Sequence, residues 1–107
     1  MKKAMISQPM GGLSDKTIKL VRDLALEELK KLGYEVINTL FVGEWNSLDN
    51  LKRRCVVQIP LYFLARSIDA MCFCNAVYFV RGWENARGCR IEHDVAVAYG
   101  LEIIYEQ

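Results

Sequence analysis

Histidine occurs once in the 107-residue chain, proline twice, and no two of the four cysteines form a CxxC pair. Cys55, Cys72, Cys74 and Cys89 with a lone His93 make no ligand set for structural zinc, so no metal is expected. Cysteines so placed read as small apolar core residues or as bystanders. Long apolar runs are missing as well. Nothing approaches the roughly 20 apolar residues of a membrane span, and Met1–Ser7, stopped by Gln8-Pro9, is too short for a secretory apolar region. A cytoplasmic protein with reduced thiols and no membrane partner is the expectation. Charge of one sign is absent too. Fourteen basic and 13 acidic side chains leave a net charge of +1, which argues against a nucleic-acid polymer as main partner. A small ligand needs only one or two placed charges and stays possible. Neither GxGxxG nor GK[ST] occurs, so the dinucleotide fingerprint and the P-loop are both excluded, and no cofactor is expected.

Apolar residues make up 52% of the chain and charged residues 25%, a globular composition. The length fits one domain spanning residues 1–107. Ala4-Met5-Ile6 reads as a short buried strand, followed by the turn Gln8–Gly12. Ser14 offers an N-cap and Asp15 a first-turn carboxylate. Ile18, Val21, Leu24, Ala25, Leu29 and Leu32 recur at helical spacing, so a helix is predicted from Asp15 to Leu32, closed by Gly33. Tyr34–Asn38 is a second strand. Thr39–Val57 is the least legible region, with a short helix near Leu48–Arg54. Pro60 opens a further helix whose apolar face is Leu61, Leu64, Ala65, Ile68 and Met71. Ala76–Val80 is apolar throughout, as a strand buried on both faces would be. After the loop Arg81–Gly88, a helix from about Cys89 to Tyr99 ends at Gly100, and Leu101–Tyr105 is a fourth strand. Alternating elements with continuous apolar strands predict a three-layer α/β sandwich of Rossmann or flavodoxin-like type, with a parallel sheet of about four strands.

Ligands of such sheets bind at the carboxyl ends of the strands, near a topological switch point. Three segments should meet there: Ser7–Gly12, Arg81–Gly88 and the first turn of the last helix. With Ile91, Val95 and Ala98 as that helix's buried stripe, Glu92 falls at the stripe's edge. A partly desolvated carboxylate there suits a nucleophile or general base, although first-turn glutamate is also favoured for dipole reasons alone. Gly11-Gly12 lets backbone N–H groups approach an anion. Arg87 and Arg90 suit a phosphate or carboxylate, or surface ion pairs. Trp83 suits stacking on a flat base or capping the core.

The blocks ISQPMGG, GYEVIN, NAVYFVRGWENARG and IEHDVAVAYG together resemble the small bacterial and phage relatives of nucleoside 2-deoxyribosyltransferases and 2′-deoxynucleoside 5′-phosphate N-hydrolases. The resemblance runs from Met5 to Ile104 and is loosest between Thr39 and Pro60. It implies that Glu92 is the nucleophile that attacks the anomeric carbon of a 2′-deoxynucleoside or its 5′-monophosphate. It further implies that Ser7, Gln8, Pro9, Met10, Gly11 and Gly12 line the sugar and base pocket. Gly82, Trp83, Asn85, Arg87 and Gly88 would lie over the sugar or its 5′ group. A homodimer or higher homo-oligomer is implied too, because the family's pocket is shared between subunits. The sequence departs from the family at three places. Ser67 stands where the characterised members carry an aspartate, with Asp69 about 200° round the helix. Asn75 also replaces a usual aspartate, and the chain stops at Gln107, where the transferases continue. Ser67 in place of the expected aspartate motivates a second reading, a nucleotide-binding module without catalysis. A third is an assembly protein in which Trp83 and Arg87 meet another chain.

Overall fold

Lys3–Ser7 forms strand β1, with every residue after Lys3 buried. A short continuous apolar run of this kind belongs to a parallel strand covered on both faces. A computed structural model of residues 1–107 carries it into a four-stranded, all-parallel sheet of order β2-β1-β3-β4. Helix α1 spans Asp15–Lys31. Ser14 is extended, and its Oγ accepts from the Thr17 N–H at 3.2 Å. Asp15 at one end and Lys30 and Lys31 at the other complement the helix dipole. Gly33, at φ +89°, supplies the left-handed residue that closes the helix.

Strand β2 is shorter than the predicted Tyr34–Asn38. It comprises Glu35–Val36 alone. The Ile37 N–H still donates to Ala4 O, but Asn38 Oδ1 then accepts from the Leu40 N–H at 2.8 Å. This local side-chain turn draws the chain off the ladder. The segment that follows holds a 3₁₀ turn at Glu44–Asn46 and helix α2 at Leu48–Arg53, which matches the short helix expected there. Ser47 caps α2, and Leu51 is its buried anchor. The Arg54 guanidinium lies 3.9 Å from the Trp45 ring centroid and donates to the Tyr62 hydroxyl, tying the segment to the next helix.

Helix α3 spans Ile59–Met71 with Pro60 in its first turn. Its inward face agrees with the expected one only in part. Leu61 and Ala65 are exposed, while Ser67 is half-buried and Ala70 and Met71 are buried. Of the expected stripe Leu64, Ile68 and Met71 do face inward, and Phe63, Ser67 and Ala70 join them, which brings a polar residue to the inward side of the helix. Strand β3, Ala76–Phe79, is buried throughout and sits between β1 and β4. Helix α4 spans Arg87–Ala98, beginning two residues earlier than predicted, and β4 spans Glu102–Tyr105.

The β1-to-β2 connection runs one way along the sheet, and the β2-to-β3 connection crosses back over β1. Right-handed crossovers therefore place α1 on one face and α3 and α4 on the other. Two cores result. Ala4, Ile6, Ala25, Leu29 and Tyr78 pack under α1, while Met5, Val77, Phe79, Met71 and Ala96 pack under α3 and α4. The architecture is a flavodoxin-like three-layer sandwich, with its switch point between β1 and β3. No helix is long and apolar enough to cross a membrane.

Leu29 is fully buried in the α1 core, whereas Leu24 on the same helix is 61% exposed. Leu29→Ala should lower the unfolding free energy by about 2–5 kcal/mol. Leu24→Ala should change it by no more than about 0.5 kcal/mol. Urea titrations followed by circular dichroism test the pair, and equal losses would contradict the packing described.

Candidate active site

β1 ends at the switch point, and the side chains of its last residue and of the residue after it diverge. Side chains on a strand alternate between its faces. Ser7 therefore turns toward α4, and the following Gln8 toward α1. The Ser7 hydroxyl donates to Glu92 Oε1 at 2.8 Å. Gln8 Oε1 accepts from Arg22 Nε at 3.0 Å, and Gln8 Nε2 donates to Ile18 O at 2.8 Å. Arg22 Nη1 also reaches Thr39 Oγ1 at 3.4 Å, and the Thr39 hydroxyl donates to Ile6 O. A carboxylate and a guanidinium are thus both buried at one end of the sheet, at 7% and 5% exposure.

The position of Glu92 corrects the expected register of the last helix. The row that α4 buries is Cys89, Glu92 and Ala96, while Ile91 is 37% exposed. Apolar patterning set Ile91 inward and Glu92 at the edge. In the fold, the small Cys89 and Ala96 let the helix approach the sheet, and Glu92 between them is carried inward. Burial pushes the Glu92 pKa above its ordinary 4.5. The Ser7 hydrogen bond, the Ser67 hydroxyl and the charge of Arg22 each oppose that rise. Burial also pushes up the neighbouring Cys89 thiol, so it is a poor nucleophile at neutral pH.

These groups line a cleft of about 670 Å³ at the carboxyl ends of the strands. Of the residues expected at the site, Gln8, Pro9, Met10, Gly11, Ser67, Arg87, Gly88 and Glu92 line it. Ser7 joins through its bond to Glu92. Gly12, Gly82, Trp83 and Asn85 do not line it. Gly12 and Gly82 hold left-handed turns at φ +75° and +93°. Asn85 is exposed. Trp83 stacks on His93, with ring centroids 4.1 Å apart and planes 18° apart, and packs beside Phe79 and Tyr105. His93 Nε2 lies 2.7 Å from the Tyr105 hydroxyl. Of the two roles open to Trp83, the fold places it in the core cap, away from the cleft.

Several lining residues were not foreseen: Arg22, Thr39, Phe41, Phe63 and Cys89. Arg22 had a legible signal. It occupies the row Ile18, Arg22, Ala25, Leu29, where a charge interrupts an otherwise apolar helix face. No group of three or more His, Cys, Asp and Glu side chains is placed to hold a metal ion.

The chain matches the profile of a domain-of-unknown-function family, DUF4406, over residues 2–105. It belongs to that family. No curated protein and no solved structure matches it significantly.

Glu92 titrates above its ordinary range, so between about 4.5 and its folded pKa the native state binds more protons than the unfolded state. Stability relative to Glu92→Gln should therefore fall as pH rises through that window. Ser7→Ala should raise the Glu92 pKa further by removing a hydrogen bond to the anion. Carboxyl-carbon NMR titration reads both. A Glu92 pKa at or below 4.5 would contradict the assigned burial.

Proposed function

We propose that the chain cleaves or transfers the N-glycosidic bond of a 2′-deoxynucleoside or its 5′-monophosphate, with Glu92 as nucleophile. The observation that carries the reading is that Glu92 is the one carboxylate among the residues lining the cleft. Hydrolases of sugar–sugar bonds use two carboxyl groups, one of them to protonate a departing alkoxide. A cleft with a single carboxylate suits a leaving group that departs without such an acid, and a heterocyclic base is one. The volume falls within the range of small-ligand pockets. The apolar walls, among them Phe41, Phe63 and Pro9, suit a base and a sugar.

In the forward half-reaction a Glu92 Oε lone pair forms the bond to C1′. The C1′–N bond breaks, and its electron pair leaves with the base, which takes a proton from water. In the second half-reaction a water oxygen attacks C1′, the C1′–O bond to Glu92 breaks and the carboxylate is regenerated. The attacking water gives up one proton to solvent. A second base attacking through its ring nitrogen would give transfer instead. A sugar without a 2′-hydroxyl reaches the oxocarbenium-like transition state more readily, which favours 2′-deoxy substrates. Ser67, where the related transferases carry an aspartate, lines the cleft and favours the Glu92 anion. Asp69 is exposed on α3 and offers no replacement. That substitution is the observation behind the second reading, a module that binds nucleotides without turnover.

Chromatography of the protein incubated with 2′-deoxynucleosides and their 5′-monophosphates tests the reading. Base release is expected, and Glu92→Gln should reduce it on the order of 10⁴-fold or more. Release unchanged in the variant removes Glu92 as nucleophile. No release, with a nucleotide-dependent melting shift, favours the binding module.

A further inference from the structure

Arg22 is the buried cation of the cleft, and the chemistry proposed above gives it no role. Its Nε and Nη1 are held by Gln8 and Thr39, while Nη2 makes no hydrogen bond within the protein. No buried side-chain nitrogen or oxygen lacks a partner. Nη2 therefore keeps accessible surface, and the space that Arg22 borders is the cleft. No ion pair within 4.0 Å joins Arg22 to Glu92, the two ion pairs of the fold being Lys2–Glu102 and Lys19–Asp23. The cleft thus has a buried anion on the α4 side and a buried, partly unpartnered cation on the α1 side.

We propose that Arg22 is an electrophilic residue that donates from Nη2 to the departing base, taking up the negative charge that develops as the C1′–N bond breaks. The inference rests on the N-glycosidic reading above. With no second carboxylic acid in the cleft, the electron pair of the breaking bond must be accommodated in some other way. A fixed donor is effective at this, because it needs no reorganisation as charge appears. The acceptor is an oxygen or nitrogen conjugated with the glycosidic nitrogen, such as the 2-oxo group of a pyrimidine. A 5′-phosphate fits the position less well. A dianion calls for several donors, and only Nη2 is free. Arg87, exposed on the first turn of α4, is better placed for that group.

The test is the leaving-group dependence of kcat/KM for 2′-deoxyuridine and its 5-fluoro and 5-nitro derivatives, whose bases are successively more acidic, each supplied as the nucleoside and as the 5′-monophosphate. Native protein is compared with Arg22→Gln and Arg22→Lys, all checked for folding by thermal melts. Arg22→Gln should lose on the order of 10²–10³-fold on 2′-deoxyuridine. The loss should shrink stepwise along the series, because a more acidic base needs less help. Arg22→Lys keeps the charge with poorer geometry and should give an intermediate slope. If the Gln variant fails to fold, a Lys variant with a steeper slope than the native protein supports the role. An equal loss across the series would make Arg22 merely structural and overturn the proposal. So would a loss confined to 5′-monophosphates, which would assign Arg22 to the phosphate. Absence of base release by the native protein on every substrate overturns the glycosidic reading itself, a result distinct from either.

Discussion

Ser7 and Gln8 are consecutive, and the candidate site depends on their divergence. Strand geometry sends one side chain to each face of the sheet, and each holds one buried charged group. Ser7 binds the Glu92 carboxylate, and Gln8 binds the Arg22 guanidinium. A single strand end thus sets the spacing between an anion on α4 and a cation on α1. Topology makes this possible. The chain leaves β1 one way, to β2, and crosses back over β1 to β3, so helices from opposite faces meet above the switch point between β1 and β3.

The positions of the elements were largely legible, and their rotations were not. Ser14, Asp15 and Gly33 mark the ends of α1 through capping chemistry, which acts locally and can be read locally. The buried run Ala76–Val80 needs no partner to be recognised as a strand. Rotation about a helix axis is a tertiary property. Pattern reading assigns charge outward, so it placed Ile91 inward on α4 and left Glu92 at the margin. In the fold, two small residues flank an inward carboxylate. The same assumption hid Arg22, although its place between Ile18 and Ala25 is anomalous for an exposed charge. On α3 the expected stripe holds at Leu64, Ile68 and Met71, and the helix turns the Ser67 hydroxyl to the cleft beside them while Leu61 and Ala65 stay exposed.

The loop after β3 illustrates a different limit. Trp83, Asn85, Arg87 and Gly88 lie close together in sequence and look like one functional cluster. The first two belong to a 3₁₀ turn at Trp83–Asn85, and the last two to the start of α4. Upstream, Trp83 stacks on His93 and closes the core over Phe79. Downstream, Arg87 and Gly88 begin α4 and border the cleft. The lone histidine is thereby accounted for in structural terms, by stacking with Trp83 and contact with the Tyr105 hydroxyl.

Two opposite charges buried at one site would ordinarily be expected to pair. Each ion costs several kcal/mol to desolvate, and direct contact is the simplest compensation. Here neutral hydrogen-bonding partners hold the ions apart: hydroxyls on the anion's side, an amide and a threonine on the cation's. The partners offset part of the desolvation and leave the remaining field directed across the cleft. A fully ion-paired site would have no charge left to offer a ligand. The separated arrangement is less favourable for the empty fold and better matched to a molecule that becomes positive at one end and negative at the other. On the N-glycosidic reading proposed above, that is the charge distribution of the breaking C–N bond, whose sugar carbon would face Glu92 and whose base would face Arg22.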